Sequence, residues 1–218
     1  MNNETPIVLL IFNRPHLTKK VFDVISKIQP RKMFIIADGP RNKNDVIACQ
    51  KAREIIDFID WNCHFKTNFS DVNLGCRKRI YSGLDWVFSQ VEEAIILEDD
   101  CLPDISFFGF CQTLLQYYRH DRRVWMISGD NFQNGHQRGD GSYYFSYYPH
   151  CWGWATWKRA WQNYDDDLSQ WTDFKEYKFL QSLFKDPKEV RYWEEIFDNL
   201  ITTKQPDSWA YRWAYSCW

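Results

Sequence analysis

Several signatures are missing from this sequence, and each absence removes a class of protein. No apolar stretch is long enough to cross a bilayer, and Ile7–Phe12 is too short even for the core of a signal peptide. Neither basic nor acidic residues dominate: 27 Lys and Arg stand against 29 Asp and Glu, so no strong field invites nucleic acid or an anionic membrane. Seven cysteines form an odd set without paired short spacings, which excludes a disulfide framework and a zinc cluster. No G-x-G-x-x-G follows the first apolar run and no Walker sequence occurs, which argues against dinucleotide oxidoreductases and P-loop enzymes. Internal repeats, low-complexity tracts and a clean linker are absent as well. These exclusions describe a cytoplasmic protein with reduced thiols and no transmembrane segment, and they leave peripheral membrane association open.

What the chain does carry is an unusual load of aromatic residues: 12 Trp, 12 Tyr and 16 Phe, with most of the Trp after position 120. Trp and Tyr join an apolar face to a polar edge, which suits surfaces that meet sugars or peptides; an aromatic core accounts for part of them. The 218 residues are ample for one large domain. The expected organisation is a single domain over 1–218, with a nucleotide-binding half over 1–101 and an acceptor half over 102–218. The chain stops at Ser216-Cys217-Trp218 amid patterned aromatic sequence, so the native protein is expected to continue beyond it.

Continuous apolar runs at Pro6–Phe12, Met33–Ala37 and Ala94–Leu97 have the pattern of parallel strands buried on both faces, and His64–Asn68 is a weaker fourth. Between them, apolar residues recur at helical spacing from Leu17 to Ile28, from Asp45 to Ile59 and from Cys76 to Gln90. This alternation predicts an open, mostly parallel α/β sheet flanked by helices, with right-handed crossovers. Further along, the pattern predicts a helix over Asp104–Tyr118, strands at Val124–Ser128 and Tyr143–Tyr148, and helical stretches near Asp173–Phe184 and Pro187–Thr203. Each of three strands ends in polar residues: Asn13-Arg14, Asp38-Gly39 and Glu98-Asp99-Asp100. Parallel strands put those ends along one edge, where α/β sheets bind ligands. Three adjacent carboxylates repel one another unless something cationic offsets the cost, and hard oxygen ligands suit Mg²⁺ or Mn²⁺.

Four segments resemble glycosyltransferases of the GT-A fold, which use nucleotide-diphospho-sugars. They are P-I-V-L-L-I-F-N-R-P at the start, I-A-D-G after the second strand, N-L-G-C-R before the third helix, and L-E-D-D-C-L-P-D before a Phe-rich helix. The last is similar to the E-D-D form of the D-x-D motif in N-acetylglucosaminyltransferase I. More loosely, S-G-D-N, G-W-A-T-W and D-S-W-A-Y-R-W resemble its acceptor side. Bacterial capsule and lipopolysaccharide transferases, and haemolysin-like proteins, share the general pattern. The triplet here lacks a literal D-x-D with aspartate first, which leaves open which carboxylate touches the metal.

The resemblance implies a metal-dependent, inverting transfer from a nucleotide-diphosphate sugar, UDP-linked by preference, to a saccharide or lipid-linked saccharide. Asp100 would ligate Mn²⁺ or Mg²⁺, and Glu98 and Asp99 would bind ribose and sugar hydroxyls or metal-bound water. Asp38 would accept the uracil imide N–H, Asn13 and Arg14 would line the base, and Arg77 and Lys78, after the Gly75 turn, would contact phosphate or sugar. Asp207 would be the general base, with Glu194 and Glu195 as rivals in a helical stretch.

Taken singly, each residue has a plainer reading. Asp38-Gly39-Pro40 is a common turn, Arg77–Arg79 a solvated helix face, and Gly153 between two tryptophans a tight packing point. Asp207 is also placed to cap a helix starting at Ser208, and the two roles are compatible. Together, in order on the ends of predicted strands, the segments favour the transferase. The competing enzyme class is a sugar-1-phosphate nucleotidyltransferase; the non-enzyme alternative is a carbohydrate-binding or assembly module that keeps the fold without turnover.

Overall fold

The structure, a computed structural model, describes residues 4–137 and 139–218. It divides the chain into two compact units, one through Gln162 and the other Asn163–Trp218.

The first unit is an α/β sheet built from β1 (Ile7–Ile11), β2 (Lys32–Ala37), β3 (His64–Phe69), β4 (Glu93–Glu98), β5 (Met126–Ser128) and β6 (Trp154–Trp157). Its strand order is β3-β2-β1-β4-β6-β5. The pairs β1–β2, β1–β4 and β2–β3 are parallel, whereas β6 runs antiparallel to both β4 and β5. Helices α1 (Pro15–Ile28), α2 (Asp45–Arg53), α3 (Cys76–Phe88), α4 (Ser106–Tyr117) and the short α5 (Lys158–Trp161) flank it.

Every residue of β1 is buried, which is why it reads as an unbroken apolar run. β3 is an edge strand with four exposed residues out of six, and its Lys66 donates to the side chain of Gln90. A charged residue on such an edge discourages pairing with another chain. α1 opens on Pro15, whose missing N–H costs nothing in a first turn, and closes on Gln29 in the left-handed region, its N–H bonded to the Ile25 carbonyl. Val21, Phe22 and Ile25 then pack against Ile7, Leu9 and Ile35 in the core.

Two expected elements of the first unit differ in kind. The helix over Asp45–Ile59 is α-helical only to Arg53 and continues as a 3₁₀ turn over Glu54–Phe58. No strand forms over Tyr143–Tyr148. That segment carries aromatic residues at consecutive positions rather than in alternation, so no single face is apolar. Its rings pack side-on instead: Tyr143 against Phe110, and Phe145 against Tyr118.

In the second unit, α6 (Trp171–Glu176), α7 (Phe179–Leu183), α8 (Pro187–Thr202) and α9 (Trp209–Cys217) enclose an aromatic core. Trp171 meets Phe197 edge-on at 5.0 Å, and Trp193 meets Trp218 at 4.6 Å. Asp186 caps α8 by accepting the Lys188 N–H at 2.9 Å. The buried Arg212 guanidinium donates to the Asp166 and Ser208 carbonyls. Among the described residues, no helix is long and apolar enough to cross a membrane.

Candidate functional site

From β1 the sheet grows outward through β2 to β3; the chain then returns to place β4 on the other side of β1. The strand order therefore reverses between β1 and β4, and the crevice beyond the carboxyl ends of those two strands is where an open α/β sheet receives ligands.

Leu10 pairs with Glu98 in the β1–β4 register, so Phe12, Asn13 and Arg14 leave β1 beside Asp99 and Asp100 leaving β4. Arg14 bridges the two aspartates. One terminal nitrogen donates to Asp99 Oδ1, and the other donates to Asp100 Oδ2 at 2.8 Å. The Phe12 N–H donates to Asp99 Oδ2 at 3.3 Å. The two carboxylates differ sharply in environment, for the Asp99 side chain is 3% exposed and that of Asp100 is 45%. Burial pushes the Asp99 carboxyl above its usual range, and Arg14 and the Phe12 N–H offset only part of that rise. Desolvation works against the Arg14 charge too, yet Asp99 and Asp100 together raise it.

The neighbouring thiols are held protonated. Burial, with Glu98 and Asp100 nearby, pushes Cys101 up to about 12; burial, Glu98 and Asp130 push Cys151 to about 12 as well. Neither thiol is then a nucleophile or a soft-metal ligand near neutral pH.

The β2 end is built differently. Asp38 is buried, and both its oxygens are engaged: Oδ1 by the N–H groups of Gly39 and Leu74, each at 2.9 Å, and Oδ2 by the Asn73 side chain at 3.0 Å and the Gly75 N–H at 3.1 Å. The carboxylate thus clasps the 73–75 turn that starts α3. A direct bond from a base to Asp38 would have to displace one of these donors. Gly39 completes the clasp because a Cβ there would stand 2.4 Å from the Val72 carbonyl carbon. Arg53 ties the same region from below, donating to the carbonyls of Asp38 and Ser70 while lying over the Phe69 ring.

Asn13 turns toward α2 and donates to Asp45 Oδ1 at 2.6 Å. Arg41 grips the same carboxylate, with Nε 2.7 Å from Oδ2, and lies 5.1 Å from the centre of the Phe12 ring. Hydrogen bonds from Arg41, then Asn13, hold the Asp45 carboxyl well below its usual range, at about 2.

Asn13, Arg14, Asp38, Gly75, Arg77, Glu98, Asp99 and Asp100 thus lie along one edge of the sheet in the first unit, Arg77 in the opening turn of α3. Asp207 belongs to the second unit, exposed just ahead of α9, and Ser208 rather than Asp207 occupies the N-cap position of that helix. Sequence reasoning missed Arg41, Asp45 and Asn73 as parts of the edge. It placed Asp130 at the end of a strand, within the S-G-D-N segment that loosely resembles an acceptor side, and Trp152 beside Gly153, read as tight packing rather than an acceptor platform. For Asp130 the signal was present, since it too follows an apolar run that ends in polar residues.

Among the described residues, no three His, Cys, Asp or Glu side chains are grouped to hold a metal. The donor chemistry still fits a hard cation of one kind. Asp100 presents a half-exposed carboxylate, and Mg²⁺ is commonly held by one or two carboxylates plus substrate phosphates and water.

No family model matches the chain, and no curated protein matches it. Among solved structures, the 4-diphosphocytidyl-2C-methyl-D-erythritol synthase from Anaerococcus prevotii aligns with a TM-score of 0.43 at 13% identity, over 90% of this chain and 85% of its own.

Proposed function

We propose that the chain is a glycosyltransferase of the GT-A type, moving a sugar from a nucleoside-diphosphate donor, UDP-linked by preference, to an acceptor hydroxyl. The observation that supports this reading is the Arg14–Asp99–Asp100 group at the reversal of strand order between β1 and β4. A diphosphate entering that crevice offers Arg14 the planar, bidentate anion its fork suits. The guanidinium exchanges carboxylate for phosphate, and Asp100 is released. Asp100 would then hold Mn²⁺ or Mg²⁺, whose contribution when bound is to neutralise charge on the leaving diphosphate. Asp99, buried and fixed by the Phe12 N–H, keeps its place through the exchange. It and Glu98 are assigned the ribose and donor-sugar hydroxyls.

The clasp at Asp38 gives that residue an indirect part: it shapes the 73–75 turn that lines the base, with Asn13 on the opposite side. Arg77 and the first turn of α3 supply positive field to the phosphates. By the same family resemblance Asp207 takes the acceptor proton, the step that inversion requires.

Product identity tests the reading. With a UDP-sugar, an acceptor and Mn²⁺, the full chain should release UDP; release of pyrophosphate from a nucleoside triphosphate and a sugar-1-phosphate would make it a nucleotidyltransferase. Asp207→Asn should lower transfer by ~10²-fold or more while UDP binding and melting temperature hold, since general-base catalysis contributes ~10²–10⁴. Near-normal turnover would remove Asp207 from the mechanism.

A further inference from the structure

β5 is antiparallel to β6, and β6 to β4, so β5 points the same way as β4. Its carboxyl end therefore opens on the edge that carries Glu98–Asp100, and the residues found there are Gly129 and Asp130. Gly129 is locked in place: its N–H donates to the Gly153 carbonyl at 2.8 Å, and a Cβ would stand 2.7 Å from the Phe107 ring. This fixes the direction in which Asp130 leaves the strand.

The half-buried Asp130 carboxylate is used on one side only. Oδ2 accepts the Trp152 N–H at 3.2 Å and the Ser128 hydroxyl at 3.3 Å, whereas Oδ1 has no hydrogen-bond partner among the described residues. Burial raises this carboxyl; the Trp152 N–H, the Ser128 hydroxyl and the nearby His150 offset part of that rise, and no Lys or Arg is paired with it among the described residues. Three rings stand on the two chain segments that meet at this carboxylate. Phe132 is 52% exposed and Trp152 60%. Phe132 meets His150 edge-on at 4.7 Å and Trp152 edge-on at 6.0 Å, while His150 and Trp152 lie nearly parallel, 18° apart.

Large rings left in water beside a half-buried carboxylate with one oxygen unengaged describe a recognition surface rather than packing. The chemistry selects the occupant. A nucleic acid would bring phosphates toward a carboxylate that has no Lys or Arg beside it to offset them. A pyranose brings an apolar C–H face for an indole, and hydroxyl donors at its rim for a carboxylate oxygen. We propose that Asp130, Phe132, His150 and Trp152 form a saccharide subsite, Trp152 stacking on the sugar and Asp130 Oδ1 accepting one of its hydroxyls. Calling that sugar the acceptor rests on the transferase reading; the binding itself does not.

Saturation-transfer NMR on the full chain tests it without nucleotide, using the methyl β-pyranosides of glucose, galactose and N-acetylglucosamine as probes. Transfer to the ring C–H protons of at least one is expected. It should fall by at least fivefold in Trp152→Ala and in Asp130→Asn, whose amide oxygen still receives the Trp152 N–H. Tyr177→Ala removes a still more exposed ring from the second unit and should leave the signal unchanged. No transfer to any of the three, or a signal that survives both variants or falls equally in Tyr177→Ala, overturns the proposal. Titration with UDP separates the two readings. UDP binding without sugar binding removes the subsite and spares the donor site, and sugar binding without UDP binding does the reverse.

Discussion

Two strand ends on either side of β1, those of β2 and β4, carry aspartates that look alike and behave oppositely. At β2, Asp38 has both oxygens committed to its own neighbourhood, and the glycine beside it leaves no room for a methyl group. At β4, Asp99 and Asp100 share one cation, Arg14, which is itself 41% exposed and free to choose an anion from solution. The first arrangement spends its charge on shape. The second keeps its charge available, and an anionic ligand is the natural competitor for it. Burial alone does not separate them, since Asp99 is as buried as Asp38; the number and kind of donors does.

The largest effect should come from attacking the clasp. Asp38→Asn places an amide NH₂ among donors and leaves at least one buried N–H unmet, a penalty of ~1–3 kcal/mol for each such group. At ~2–4 °C per kcal/mol for a chain this size, the melting temperature should fall by roughly 5 °C or more. A scan showing no change would mean that the turn is held by something else.

Next comes Arg14→Lys, which keeps the positive charge but loses the fork that spans two carboxylates or one diphosphate. UDP affinity, read by calorimetry, should drop about tenfold, the order expected for losing one charge-assisted hydrogen bond of ~1.5 kcal/mol, with little change in melting temperature. Equal UDP affinity would place the diphosphate elsewhere.

The smallest effects are in pH dependence, and their signs differ. Asp45 is held at about 2, below the unfolded value, so its stabilising contribution is complete above the ordinary aspartate range and is lost as pH falls from there through about 2. Asp99 is shifted upward by burial, so its ionisation works against the fold, and protonation as pH falls toward the ordinary range relieves that cost. Asp45→Asn should flatten acid unfolding between about pH 4 and pH 2, and the carboxyl carbon of Asp99, followed by NMR, should titrate above that of Asp45. The reverse order would contradict the geometry at both sites.

The sheet was legible because strands buried on both faces leave unbroken apolar runs, and Ile7–Ile11 and Ala94–Leu97 could hardly be anything else. Strand ends were legible for the same reason: polarity returns where burial stops. Aromatic clustering misled at Tyr143–Tyr148, where rings pack against other rings without a ladder. It was also ambiguous at Cys151–Trp157, where Trp154 and Trp157 are buried strand residues and Trp152 stands in solvent.

How each carboxylate spends its lone pairs was not legible at all. Besides the adjacent Gly39 N–H, Asp38 is occupied by the Asn73 side chain and the Leu74 and Gly75 N–H groups, far along the sequence, and Asp130 by the N–H of Trp152 after a loop. Such pairings depend on how distant turns approach, which no local pattern encodes.

The account stands most directly on UDP titration, with and without Mn²⁺, into the wild-type chain and Asp100→Asn. The substitution keeps the shape of the side chain and removes the charge that a hard cation needs. UDP should bind the wild type more tightly with Mn²⁺ than without, and in Asp100→Asn that difference should vanish while the melting temperature holds. If the wild type does not bind UDP, or if the variant keeps the full Mn²⁺ dependence, the crevice between β1 and β4 is not a metal-assisted diphosphate site.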